Sequence, residues 1–573
     1  MIPLAERQQG RYRAGMFAQR PNFRLFSGAA ALVLASLLLS AAAGAQAPNI
    51  GSVKAEAQGY VNAHAKLIQQ IVDSTFSFQE IGYNEVQTGI YLTGILQRHG
   101  FSIQRRIAGI PTAWLASWSN GSGHPTVSLN NDEDGLPGLS QMPGVLKQQP
   151  MIVGGNGQSE GHNTGLAGMV VAALALQSVM QQHHISGTVQ VWPGIAEEIL
   201  AGKAWYVRAG VFDHVDAVLS THVSSGLGTS YGRSGGTAAV SVQYTFHGKT
   251  AHAAADPWDG KSALASAEMF DNGMNYMRQF FHPASRTQNV LVNGGDEPNV
   301  VPDLTEDWYY LREVTPEMVR QNLATANRVA KAAAAMFGTT VDVNVIGTAW
   351  PSWGNQPLAE DMYKNIQAVG MPAWTAADQL YAKAVQTLIG KPPIGLSTHI
   401  DKLGTGVVNP LGGPSDDIGD VMWTVPTVRL MFPANIPEVP FHNWKAALAE
   451  ATPIAYGGAS VDAKVLAMTA LDLYLNPRLV QSARHYFEAV QPVLAMKAYG
   501  APRPVVYRSF LPPEATPDLA MHDALMRRLR PLMEKLYYRQ DRYPTYLDQL
   551  GVKWPCLTQK STCGAPPPVV PGG

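Results

Sequence analysis

Cysteine is almost missing from this chain: two residues in 573, Cys556 and Cys563, both close to the end. A disulfide-built scaffold is therefore excluded, and any metal centre elsewhere must be made without thiolate. The pair could close a small loop in an oxidising compartment, or remain as two free thiols. Charge is also sparse. Asp, Glu, Lys and Arg make up 15% of residues and nearly cancel, leaving a formal net charge of -1. That is not the basic balance of a nucleic-acid binder, and 46% hydrophobic residues exclude a disordered chain. After the first 45 residues we expect no run long and apolar enough to cross a bilayer, so no stable membrane insertion. The Gly-rich loop GGNGQSEG at 154–161 lacks the closing Lys-Ser/Thr of a phosphate loop, which rejects nucleotide binding.

What is present points to a large α/β protein. A single hydrophobic core stops growing near 250–300 residues, so at least two domains are expected. The first 45 residues read as a secretory signal peptide. Arg7, Arg11, Arg13, Arg20 and Arg24 precede an apolar stretch from Ala29 to Ala42, and Ala43-Gly44-Ala45 is a small-x-small cleavage pattern. Met16 is a second candidate start, and an uncleaved anchor is the alternative. The expected location is exported, periplasmic or secreted.

Helical spacing runs over 52–74 and 85–99, and strand-like runs follow at 102–107, 112–118 and 126–130. Helices alternating with short apolar strands predict an α/β layer, and ligands of such sheets gather at the carboxyl ends of strands. The junctions that follow carry ligand-type side chains. Glu160 and His162 precede an apolar helix, Glu197 and Glu198 are expected to begin another, and a short strand delivers His222. Carboxylate and imidazole suit borderline divalent ions. Two adjacent acids allow one to hold metal while the other handles protons. Asp132 and Asp134, two apart in an extended segment, would point the same way, where one could orient a ligand histidine. The plainer reading is a pair of turn acids.

From 237 the texture changes. The order β-α-β-β-α-β over 237–348 predicts an inserted ferredoxin-like unit, with His252 in its first loop. After 361 the α/β pattern returns, and PFHNW at 440–444 is expected to open a long helix through about 474, placing His442 at its start. The resulting division is a signal peptide at 1–45, a catalytic domain in two parts at 46–236 and 349–500, the insert at 237–348 and an extension at 501–573. Arg527, Arg528, Arg530, Lys535, Arg539 and Arg542 of the extension are read as a solvated helix face rather than a nucleic-acid contact.

In order, FQEIGYNEVQT at 78–88, AGIPTAW at 108–114, DGLPGLSQ at 134–141, GHNTGLAG at 161–168 and AEE at 196–198 form a recognisable series. HGKTAHAAADPWDG at 247–260, GGDEPNVVPD at 294–303, SDDIGDVMW at 415–423 and FHNW at 441–444 continue it. Over about 50–490 the chain resembles the M20 metallopeptidase family, in its amidohydrolase branch of aminobenzoyl-glutamate hydrolase type. The resemblance implies a zinc-peptidase-like α/β catalytic domain with a mixed central sheet, interrupted by a ferredoxin-like dimerisation and lid domain. It further implies two divalent ions, zinc first and manganese or cobalt as alternatives, on Glu160, His162, Glu198, His222 and His442. Glu197 takes the place of the general base. His252 matches a histidine that reaches across a homodimer to steady the oxyanion, and Asn299 an asparagine near the substrate. Glu160 departs from the branch, which has cysteine there, and Gln158 stands where histidine is usual. An all-oxygen and nitrogen set is more accommodating to manganese or cobalt than one with thiolate.

The implied function is hydrolysis of the amide bond of N-acyl or aryl-acyl amino acids by metal-activated water, with Glu197 as general base. The alternatives are a dipeptidase or exopeptidase acting on short peptides, and an inactive binding protein on the same shell. Expected partners are a small amide or short peptide and further copies of the chain, as a homodimer or larger homo-oligomer.

Overall fold

The computed structural model describes residues 49–406, 412–558, 563 and 569; the expected signal peptide at 1–45 lies outside the described residues. The alternating pattern of the first half folds into a seven-stranded sheet. Its strands are β1 (Ser102–Arg105), β2 (Trp114–Asn120), β3 (Thr126–Asp132), β4 (Gly187–Gly194), β5 (Ala217–Ser224), β6 (Gly228–Thr229) and β11 (Thr427–Pro433), in the order β1-β2-β4-β3-β5-β11-β6. The four strands β4-β3-β5-β11 run parallel, while β1, β2 and β6 pair antiparallel at the flanks. Every residue of β3 is buried, as expected of a strand covered on both faces. Helices His162–Gln182 and Pro453–Leu475 pack together in this core. They approach closely at Gly168, where an added Cβ would lie 2.0 Å from Asp462 Oδ2. The His162–Gln182 helix corrects one expectation: by length and composition it could cross a membrane. It is instead the core helix, with 94% of its apolar window buried.

The second sheet is the inserted unit. Its strands are β7 (Ala238–His247), β8 (Arg286–Asn293), β9 (Leu304–Glu313) and β10 (Thr340–Ala349), all antiparallel in the order β10-β7-β9-β8. Helices Ala263–Met277 and Pro316–Phe337 complete the β-α-β-β-α-β succession. Side chains alternate along β9, as a pleated strand requires. Tyr309 and Leu311 are buried in the lid core with Phe270, while Trp308, Tyr310 and Arg312 occupy the opposite face.

Two expected helices are not where the sequence placed them. Glu197 and Glu198 begin no α-helix; they sit in a three-residue 3-10 turn between Ala196 at φ 50° and Leu200 at φ 59°. Both flanking residues are left-handed, so a helix cannot run through them. His442, at φ 53°, lies in a loop, and its helix starts only at Pro453. Proline at the first turn of a helix sets that start.

In the extension, helix Asp523–Met533 buries Met526, Leu529 and Met533 against Ile81 and Ile152. Arg530 donates to Glu80 Oε1 at 3.1 Å. Cys556 and Cys563 are joined as a disulfide.

Candidate metal centre

The ligand-type residues collect where the parallel strands end. β3 leads to Asp132 and Asp134, β4 to Glu197 and Glu198, β5 contains His222 near its end, and β11 precedes the loop of His442. Glu160 and His162 come from the start of the core helix beside them.

Glu160 is the hub. Its Oε1 lies 3.1 Å from His222 Nε2 and its Oε2 lies 2.7 Å from His442 Nε2. His442 Nε2 is also 3.3 Å from Glu198 Oε2. Two groups follow, Glu160 with His162 and His222, and Glu160 with Glu198 and His442, each with its ligand atoms within 4.8 Å of one another. The five residues expected as ligands therefore converge, and the carboxylate standing in place of a thiolate is common to both groups.

The hydrogen bonds around this hub set the imidazoles for coordination. His162 Nδ1 is 2.8 Å from the Asp134 carbonyl, which can only accept, so Nδ1 carries the proton and Nε2 presents its lone pair. His222 Nδ1 donates likewise to the Val223 carbonyl at 2.9 Å. His162 Nε2 and Glu198 Oε1 are buried without a partner in the protein. Orphaned acceptors of this kind are costly unless something fills the space between them. Three imidazoles and two carboxylates around such a gap fit a pair of borderline divalent ions.

The electrostatics point the same way. Burial pushes the Glu198 carboxyl well above the ordinary range, and nearby Glu160 and Asp134 push it further. Burial also drives Glu197 upward, with Asp416 and Asp132 adding to the effect. Burial would raise Glu160 too, but hydrogen bonds from His222 and His442 outweigh it and hold that carboxyl well below the usual value. Such a concentration of buried acid calls for cations.

Glu197 belongs to neither Glu160 group. It clusters with Asp132 and His162, and separately with Asp416 and Asp417. Its backbone N–H donates to Asp134 Oδ1 at 3.0 Å and that of Glu198 to Asp134 Oδ2 at 3.2 Å, so Asp134 fixes both glutamates by their amides. Behind them Lys203 is completely buried, 2.5 Å from Asp132 Oδ1 and paired with Asp417. Arg429 pairs with Asp416. Neither cation was singled out from sequence.

These residues open onto a cleft of about 580 Å³, which the lid enters with Arg312. His252 and Asn299 do not line it. They sit in exposed lid loops, where Ala253 N–H donates to the Asn299 carbonyl at 3.0 Å. His252 Nδ1 accepts from the N–H groups of Ala254 and Ala255 at 3.1 Å each, which leaves Nε2 as its donor.

Residues 234–335 match the peptidase dimerisation domain of the M20 family. The chain is 29% identical over 456 residues to a p-aminobenzoyl-glutamate hydrolase polypeptide of Escherichia coli (strain K12), covering 75% of this chain and 94% of that protein. It is 27% identical over 454 residues to the Xaa-Arg dipeptidase of Mus musculus, covering 76% and 92%. A crystal structure described as an aminohydrolase from methicillin resistant Staphylococcus aureus shares the fold, with a TM-score of 0.52 at 18% identity over 74% of this chain and all of that one. Fold and doubled cluster together define a metal-dependent hydrolase. The chain carries the M20 peptidase dimerisation domain and is similar over about three quarters of its length to these two hydrolases.

Proposed function

We propose that the protein hydrolyses the amide bond of N-acyl or aryl-acyl amino acids, with Glu160, His162, Glu198, His222 and His442 holding two ions. The observation that carries this is the sharing of Glu160 between two ligand groups while Glu197 stays outside both. Zinc is the first choice for the ions, and the oxygen and nitrogen set admits manganese or cobalt. When bound, the ions supply Lewis-acid polarisation of the carbonyl and a more acidic water.

The rest is done by the chain. Glu197 takes a proton from the attacking water and returns it to the leaving amine, acting as base and then acid. Asp134 keeps that carboxylate in position through two backbone amides. Arg312 and Arg429 line the cleft, and the Nε of each is buried without a partner. They suit the carboxylate of an amino-acid leaving half, which guanidinium binds well. His252 of a second copy would donate from Nε2 to the developing oxyanion, and Asn299 beside it would contact substrate. This makes the working unit a homodimer or a larger homo-oligomer. The same site serves a dipeptide, and the likeness to a dipeptidase keeps that as the second reading. Export suits a protein with the Cys556–Cys563 bridge and the signal-like first 45 residues.

Glu197→Gln tests the central role. Metal content by elemental analysis should stay at the wild-type level while turnover of N-acyl amino acids falls by about 10²–10⁴-fold. Retained turnover would remove Glu197 from the mechanism. A panel of N-acyl amino acids against dipeptides separates the two substrate readings.

A further inference from the structure

The chain passes between the catalytic unit and the lid twice, over 230–237 and 349–355. The two passages pair with each other: Gly232 and Gly354 exchange both N–H···O bonds at 2.9 Å, and the Ser352 N–H donates to the Gly236 carbonyl at 3.1 Å. A two-stranded ribbon alone is a marginal structure, and one set between two packed units is where a hinge bends.

The start of the extension lies across this ribbon. Its sequence, APRPVVYRSFLPP at 501–513, is too rich in proline for a helix, and residues 501–511 carry neither helix nor strand. Carbonyls of such a segment are free to accept from whatever packs on them. That of Arg508 accepts from both units at once, from Arg320 of the lid at 2.7 Å and from Trp350 Nε1 of the second passage at 2.9 Å. The Trp350 ring is 4.9 Å from Tyr507 and 5.8 Å from Phe510, and the Arg320 guanidinium lies 4.5 Å over the Phe510 ring. Asp420 of the catalytic unit ties the same place together, accepting the Trp350 N–H at 2.9 Å and the Tyr507 hydroxyl at 2.6 Å. Arg208, which ends the helix that Lys203 begins, donates to the Leu511 and Pro512 carbonyls at 2.9 and 2.8 Å.

We infer that residues 507–511 are a brace that fixes the lid against the catalytic unit, and that through Arg320 they position Arg312 in the cleft. Arg312 and Arg320 belong to one short stretch of the lid, the first at the end of β9 and the second in the helix Pro316–Phe337 that follows. Holding that helix therefore holds the strand end from which Arg312 enters the cleft. The positioning half of the inference rests on the amide-cleaving reading above, in which Arg312 meets the substrate carboxylate.

The test measures the distance between the units in the full-length protein. Spin labels go on Glu268→Cys in the lid and Lys364→Cys in the catalytic unit, both exposed, since the two native cysteines are joined to each other. Labelled chains are diluted with unlabelled ones so that pulsed electron resonance reads one chain at a time. Wild type should give one narrow distance, and Arg320→Met and Phe510→Ala should broaden it about twofold or more. In the unlabelled, metal-loaded variants KM for an N-acyl amino acid should rise by about tenfold while kcat changes far less. Methionine keeps the apolar stem of Arg320, so that variant stands even where Phe510→Ala fails to fold. An unchanged width in Arg320→Met overturns the brace, and a broadened width with unchanged KM overturns the positioning of Arg312. If wild type hydrolyses no N-acyl amino acid, the amide-cleaving reading has failed by itself. The width then decides the brace alone: broadening supports it and an unchanged width overturns it.

Discussion

The two sheets of this protein are stabilised in opposite ways. The lid sheet is an ordinary apolar sandwich, with Phe270, Tyr244 and Tyr309 in mutual contact beneath two helices. The carboxyl end of the catalytic sheet is instead packed with buried acids, among which Lys203 and Arg429 are set as partners. One surface gains its order from removing apolar area from water. The other is costly until charge is matched, and that mismatch is what makes it a place to bind cations.

The largest expected effect comes from breaking the hub. Glu160→Ala should cut bound metal to one ion or fewer by elemental analysis and reduce turnover by about 10³-fold or more, because both ion sites lose a ligand together. Next is Lys203→Met, which leaves Asp132 and Asp417 buried without their cation. Breaking a buried pair from one side costs about 3–5 kcal/mol, measurable by urea unfolding. Phe270→Ala in the lid should cost a similar 3–5 kcal/mol, but by leaving a cavity. The two differ in pH response: the Lys203→Met penalty should shrink as acid protonates the stranded carboxylates, while the Phe270→Ala penalty should not change. Equal responses would erase the contrast between the sheets.

A pH-dependent effect is expected from an acidic pair inside the lid. Asp307 lies beside Asp271, and burial, then the Asp271 hydrogen bond, push its carboxyl up to about 8. In the folded chain it keeps its proton over a range where the unfolded chain has released it. Stability from this group is therefore full below about pH 4 and is lost as pH rises toward about 8. Unfolding followed across that window should show the slope, and Asp307→Asn should flatten it. The smallest effect belongs to Arg527→Ala. Arg527 is exposed, 3.7 Å from Asp523, and surface pairs of this kind contribute little, so the melting temperature should not move measurably.

Much of this architecture was legible in the sequence because it is carried locally. The β-α-β-β-α-β succession of the insert follows from period and spacing, whereas the full ligand set at the strand ends came from the resemblance to the M20 family. Local rules failed at Glu197 and at His442. Each lies in a loop whose left-handed residues are fixed by neighbours far along the chain, such as Asp134 holding the two glutamate amides. Lys203, Arg312 and Arg429 went unread for a related reason. GKAWY looks like an ordinary helix start and WYYLRE like an alternating strand; only the fold shows which carboxylates or cavities those cations meet. Asp132 was read for its direction, but its cation lies 71 positions later.

The histidine at 252 has its Nδ1 occupied by two backbone amides and stands clear of its own cleft. In the homodimer proposed above, a chain built this way would lend a proton donor to its neighbour and borrow one in return. Two crippled versions, one without Glu197 and one without His252, would each be silent alone. Mixed and allowed to exchange subunits, they should regain hydrolysis, since each hybrid pair contains one intact set of parts.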